Sequence, residues 1–157
     1  MTIQNYQIKK SHVVRKPWGQ ETWIQPGSEV HDYSLKEIII NRGVRTSIQV
    51  HQFKAETAYI LEGTGELWYG PEFFDCAAYT AGKLSTEQIK EILDNLQVTT
   101  YGPGSVLHIE PGTIHCMVAL TDLRFIETST RHLDDVFRLQ DDANRAHGKI
   151  DAEHANK

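Results

Sequence analysis

The chain has little of what would tie it to a membrane, to nucleic acid or to an oxidising compartment. Only two of its 157 residues are cysteine, Cys76 and Cys116. They lie far apart and form no CxxC pattern, so buried free thiols in a reducing compartment are expected. No apolar run approaches the length that spans a bilayer. The N-terminal MTIQNYQIKK lacks the apolar core of a signal peptide, and a cytoplasmic location follows as the expectation. There is no basic block. Net charge is −5, with both signs interspersed, so nucleic acid is not favoured as a partner. Internal repeats and low-complexity segments are missing too. The length suits a single domain, and it is enough to bury a core without disulfides.

What is present centres on residues 43–65, GVRTSIQVHQFKAETAYILEGTG. Gln49 and His51 stand two apart among apolar and β-branched neighbours, so on a strand they project from one face. Glu56 follows and can return from the next strand across a turn. A second stretch, residues 104–115, GSVLHIEPGTIH, offers His115. An amide oxygen, two imidazoles and a carboxylate form an N/O donor set. It suits one divalent ion, with zinc first and Mn, Fe, Co or Ni as alternatives.

The remainder reads as short strands between turns, which favours a barrel or sandwich. Residues 1–11 form a polar arm and residues 12–130 the barrel. Strands are expected over 21–25, 31–40, 46–51, 98–102, 105–110, 116–120 and 123–129. Residues 57–62 and 65–69 read as a hairpin across Gly63-Thr64. Residues 70–84 read as irregular. Residues 85–97, STEQIKEILDNLQ, are the one clear helix: Ile89, Ile92, Leu93 and Leu96 recur at helical spacing, and Ser85 with Gln88 makes a capping box. Its apolar stripe is expected on the barrel or on a second subunit. Residues 131–146 read as a closing arm or short helical turn, and the polar tail 147–157 as mobile. Trp18 reads as a core plug or as a wall of one barrel mouth.

The two stretches resemble the paired cupin motifs in spacing, with Gln49 where the first histidine is usual and Glu110 where a proline is usual. SIQVH followed by KAE is similar to the metal motif of phosphomannose isomerases and of the cupin region of mannose-1-phosphate guanylyltransferases, in which Gln-x-His replaces His-x-His. VVRKPWGQE is similar to their opening segment, and residues 127–145, ETSTRHLDDVFRLQDDANR, to their closing one. The closing match is partial, because Asp142-Ala143-Asn144-Arg145 stands where Asp-Tyr-Gly-Arg is usual. The resemblance covers roughly residues 12–146, leaving out about 71–100. It implies an all-β fold: a single cupin, a jelly-roll barrel with one inserted helix. It also implies metal-dependent aldose–ketose isomerisation of a sugar phosphate, with mannose 6-phosphate and fructose 6-phosphate as the leading pair.

Around such a metal, His108 and Glu110 share a strand face, and either can serve as general acid or base. Lys54 is a further catalytic candidate. Arg45, Lys54 and Arg138 are candidates to hold a phosphate, with exposed salt bridges as the competing role. Glu127, if it points inward, is a buried carboxylate in need of a partner. Asp134 and Asp135 read as capping or solvating the closing segment. Two other functions stay open: an epimerase, isomerase or iron oxygenase on the same metal, and a non-catalytic sugar-binding cupin. Exposed sheet edges in small barrels favour pairing into a homodimer.

Overall fold

Alternation of burial is clearest in β3 (Ser34–Ile40), near the middle of one sheet. There every second residue is buried, the pattern of a strand with one face on a core. The computed structural model describes residues 8–155; the first seven residues of the expected polar arm and the last two of the tail lie outside them. Two antiparallel sheets face each other. The first runs β1 (His12–Lys16), β2 (Gly19–Gln25), β3, β10 (Leu123–Ser129), β5 (Glu56–Glu62), β8 (Val106–Ile109). The second runs β11 (Phe137–Gln140), β4 (Ile48–Val50), β9 (His115–Ala119), β6 (Gly65–Tyr69), β7 (Gln97–Tyr101).

Between the sheets lies an apolar cluster built on Ile38, Ile40, Ile60, Leu67, Tyr101, Met117, Leu123 and Phe125. Trp18 joins it and also lines a cavity, so it fills both roles open to it. A second cluster covers the outer face of the five-stranded sheet. There Ile48, Val50, Ile114 and Cys116 meet α1 (Cys76–Thr80) and α2 (Thr86–Asp94). Both cysteines are buried free thiols, and burial raises each to a pKa of about 11.

The expected helix over 85–97 is observed, with Ser85 and Gln88 capping each other at 3.1 and 2.8 Å. It stops at Asp94, and Gln97 already begins β7. Its Ile89, Ile92 and Leu93, with Leu96 beyond its end, pack half-buried on the second cluster. The partial burial realises only a fraction of the roughly 1.5–3 kcal/mol that full burial of such a side chain contributes. α1 lies where irregular chain was expected; at five residues it is too short to show a helical period, and only its Asp75 cap marks it.

Three other expectations are corrected. Residues 57–69 do not form a hairpin: β5 pairs with β10 and β8, whereas β6 pairs with β9 and β7. Gly63, at φ +86°, carries the chain across the barrel edge, and a Cβ there would meet the Asp122 carbonyl at 2.1 Å. The closing arm contains a strand, β11, paired with β4. Phe137 and Leu139 pack on the outer cluster and Arg138 faces the cavity. The tail docks instead of hanging free, with α3 (Asp151–His154) lying against β1. Ion pairs hold it there, which hydrophobic patterning cannot register.

Candidate metal centre

Side chains from three strands, β4, β5 and β9, and from His51 just past β4 converge on one polar cluster. Gln49 in β4 stands opposite His115 in β9, and Ile48 and Val50 on either side of Gln49 point outward to the second cluster. His51 follows on the inward side. Glu56 opens β5, and its neighbours Ala58 and Ile60 continue inward into the core. The turn that presents His115 is tied to the first stretch by the Gly112 amide, which donates to the His51 carbonyl at 2.7 Å. Gly112 has φ +79°, and a Cβ there would collide with the Phe73 ring, so glycine is required at that turn.

His51, Glu56 and His115 each aim a donor atom at a common point, all within 4.8 Å of one another. His115 Nε2 is 3.1 Å from Glu56 Oε1, and His51 Nε2 is 3.6 Å from Glu56 Oε2. Gln49 Nε2 lies 3.4 Å from His115 Nε2, and a half-turn of the amide puts its oxygen there instead. Ligands about 2.1 Å from one tetrahedral ion sit about 3.4 Å apart, which matches these separations.

The backbone fixes both imidazoles in the ligand tautomer. His115 Nδ1 donates to the Thr113 carbonyl at 2.9 Å, and His51 Nδ1 donates to the Asp135 carbonyl. With the hydrogens committed there, the Nε2 lone pairs face the Glu56 carboxylate. His51 Nε2 is buried and has no hydrogen-bond partner. A lone pair opposite a carboxylate oxygen is repulsive unless a cation lies between them, so the donor set fits a bound divalent ion.

Electrostatics keep the donors in ligand form. Burial lowers the His51 pKa from 6.5 to about 4, so the ring is neutral at pH 7. Burial opposes ionisation of Glu56, but the Lys54 ammonium beside it outweighs that and holds the carboxyl well below its usual range. Lys54 is itself buried, yet Glu127 and Glu56 raise its pKa above the ordinary lysine value. Its ammonium bridges Glu56 and, at 3.5 Å, Glu127. Glu127 is pushed upward by burial and by the Glu56 charge, with Lys54 offsetting part of that. Beyond it Lys36 pairs with Glu21 at 3.4 Å and sits over the Trp23 ring.

The other expected site residues are dispersed. Lys54 and Arg138 line the same cavity as the cluster. Arg45 does not: it pairs with Asp142 on a separate surface depression shared with Trp18 and Arg145. His108 and Glu110 do share a face, as the strand period requires, but it is the outer one. His108 is exposed and bonds Thr57 at 2.9 Å, and Glu110 lies exposed beside Ala55, Thr57 and Thr130. Leu107 and Ile109 take the inward positions of β8, so the assignment of acid–base work to His108 and Glu110 has no geometric support. Asp135, expected to cap or solvate its own closing segment, instead caps the turn after His51. Its carboxylate accepts the backbone N–H groups of Gln52 and Lys54, both at 2.9 Å, and of Phe53 at 2.6 Å. Those bonds hold its pKa low against the cost of burial.

Two antiparallel sheets closed around an inward-facing His–Glu–His cluster define a cupin jelly roll, and solved structures of that fold superpose on it. Capsular polysaccharide assembling protein CapF from Staphylococcus aureus matches with a TM-score of 0.58 at 14% identity, over 87% of this chain and 33% of CapF. The oxalate decarboxylase of Lactobacillus farciminis, in a formate complex, matches at 0.60 and 16% identity, over 88% of this chain and 37% of that one. An RmlC-like cupin from Shewanella frigidimarina matches at 0.57 and 12% identity, over 85% of this chain and 96% of the other. This chain thus spans about a third of the CapF and decarboxylase chains. No family model matches the sequence, and no curated protein sequence matches it. Among the described residues no helix is long and apolar enough to cross a membrane.

Proposed function

We propose that the protein is a metal-dependent enzyme of sugar metabolism, an aldose–ketose isomerase acting on a sugar phosphate, with mannose 6-phosphate and fructose 6-phosphate as the leading pair. One observation carries the reading. A neutral His51, His115 and an ionised Glu56 converge at the floor of a cavity that also holds a buried lysine–carboxylate pair, Lys54 and Glu127. A divalent ion held by Gln49, His51, Glu56 and His115 supplies a Lewis acid for a carbonyl and its neighbouring hydroxyl.

The chain's own residues supply the rest. Glu127, its pKa raised, takes the proton from the carbon beside the carbonyl and returns it to the former carbonyl carbon, while the hydroxyl proton passes to the former carbonyl oxygen. Lys54 stays protonated beside it and offsets negative charge as it develops on the sugar oxygens. Trp18, Phe125, Leu133 and Val136 wall the cavity and limit water around the transferred proton. Arg138 lines the same space with a buried Nε that lacks a partner, so it remains a candidate for an anionic group. Turnover of mannose 6-phosphate by the purified protein, with and without chelator, tests the reading. Chelator-sensitive formation of fructose 6-phosphate is expected. Metal-loaded protein that turns over neither sugar would overturn the isomerase assignment.

A further inference from the structure

The cavity above the metal cluster is closed by the chain's own C-terminal segment. Gly148, Lys149, Ile150 and His154 line it from the side opposite the sheets. With that segment in place the cavity volume is about 100 Å³, below the roughly 300 Å³ at which pockets for small organic ligands begin. Most of the other walls are strands fixed by ladder hydrogen bonds, and the loop carrying Leu133 and Val136 is tied to the barrel through Asp135. The tail is therefore the wall that yields when a sugar-sized molecule enters.

Its docking is ionic. Glu153 places one carboxylate oxygen 2.7 Å from Lys16 Nζ and the other 3.3 Å from a terminal nitrogen of Arg145. The His154 ring stands edge-on to Trp23 at 5.2 Å. All three charged side chains are almost wholly buried. The neighbouring cations are otherwise matched within the barrel: Lys36 with Glu21, Lys54 with Glu56 and Glu127, Arg145 with Asp141 at 2.7 Å. Among the described residues, Lys16 has no ion-pair partner except Glu153. Lifting the tail leaves an ammonium and a guanidinium edge at the cavity mouth with no anion between them, a pair of donors suited to another oxyanion.

We propose that Lys16 and Arg145 form an oxyanion subsite at the cavity mouth, that Glu153 occupies it in the closed form as an internal stand-in, and that the phosphate or carboxylate of an incoming sugar displaces it and opens the tail. The proposal deepens the sugar-phosphate reading and takes its substrate class from it. Binding is exchange: one carboxylate leaves two cations and another oxyanion takes its place, so the cations stay paired throughout. Arg138 donates to the Ala146 and Gly148 carbonyls at the base of the tail, which makes that loop the hinge.

The test uses full-length metal-free protein in chelator, so that it does not depend on turnover. Inorganic phosphate and glucuronate are titrated calorimetrically into the wild type, into Glu153→Gln, and into a chain ending at Gly148. Both altered chains are expected to bind at least one of the two anions about tenfold or more tightly. Adding Lys16→Gln to Glu153→Gln is expected to abolish the gain. Saturating anion is also expected to speed trypsin cleavage after Lys149 in the wild type. A preference for phosphate supports a sugar phosphate; a preference for glucuronate supports the subsite and directs it to sugar acids, against the isomerase substrate named above. Equal affinity in all chains, or a gain that survives Lys16→Gln, would overturn the subsite even if mannose 6-phosphate is turned over.

Discussion

Asp135 holds His51 in place from 84 positions further along the chain: its backbone carbonyl takes the Nδ1 proton while its carboxylate caps the turn that follows His51. One residue thus sets both the tautomer of a candidate ligand and the path of the chain to Lys54 and Glu56. Asp135→Ala leaves three backbone N–H groups without their acceptor. Leaving a buried donor unpaired costs about 1–3 kcal/mol, whereas the backbone carbonyl that orients His51 is kept, so metal binding is expected to weaken by less than about tenfold, through the loosened turn alone. Urea denaturation and a competition titration with a metal-sensitive dye check the two effects. Asp135→Asn, which keeps one acceptor oxygen, is expected to fall between the wild type and Asp135→Ala in both.

The cluster makes opposite predictions for inward and outward residues. His51→Ala, Glu56→Ala or His115→Ala is expected to reduce the metal content of purified protein to a small fraction of one ion per chain, measured by atomic emission. His108→Gln and Glu110→Gln lie on the outer face of β8 and are expected to leave metal content unchanged, with turnover within about twofold and stability within about 0.5 kcal/mol. A large loss of activity in either outer variant would return the acid–base role to that strand.

The contrast between those two groups shows how much was legible. That Gln49, His51, Glu56 and His115 converge could be read because motif spacing and the two-residue strand period agree. His108 and Glu110 were correctly read as sharing a face. The facing itself was set by Leu107 and Ile109, whose apolar side chains claim the interior of β8. Glu127 could be flagged only as a carboxylate in need of a partner, since Lys54, which supplies one, is 73 residues away. The crossing at Gly63-Thr64 resembled a hairpin because a two-residue glycine link is locally the same whether the next strand returns beside the last or enters the opposite sheet. The tail could not be placed at all: its docking rests on Glu153, Lys16 and Arg145, charged residues that look solvated in any linear pattern.

Lys54 and Glu127 should separate stability from chemistry. Lys54→Met removes the cation between two buried carboxylates, and breaking such a pair on one side costs about 3–5 kcal/mol. The denaturant midpoint is expected to fall sharply. Glu127→Gln removes one of the two carboxylates and leaves Lys54 paired with Glu56, so the fold is expected to survive. Turnover is expected to fall about 10²–10⁴-fold, the usual loss for a general base, with metal content intact. Unchanged turnover in folded Glu127→Gln would remove it from the proton transfer.

The depressed His51 pKa predicts an acid-sensitive metal-free protein. In the unfolded chain the ring takes up a proton near its ordinary value of 6.5, whereas in the fold it does so only near about 4. Between those limits the unfolded state binds more protons, so stability falls as pH falls. The full difference is on the order of 3 kcal/mol, reached once the pH drops below about 4. Asp135 and Glu56, both held below the usual carboxylate range, extend the loss as the pH falls further still. Thermal melts in chelator should therefore show a midpoint that declines steadily from pH 6.5 toward pH 4. His51→Gln, which cannot titrate, should flatten that part of the curve; a slope that persists unchanged in this variant would assign the acid sensitivity to other groups.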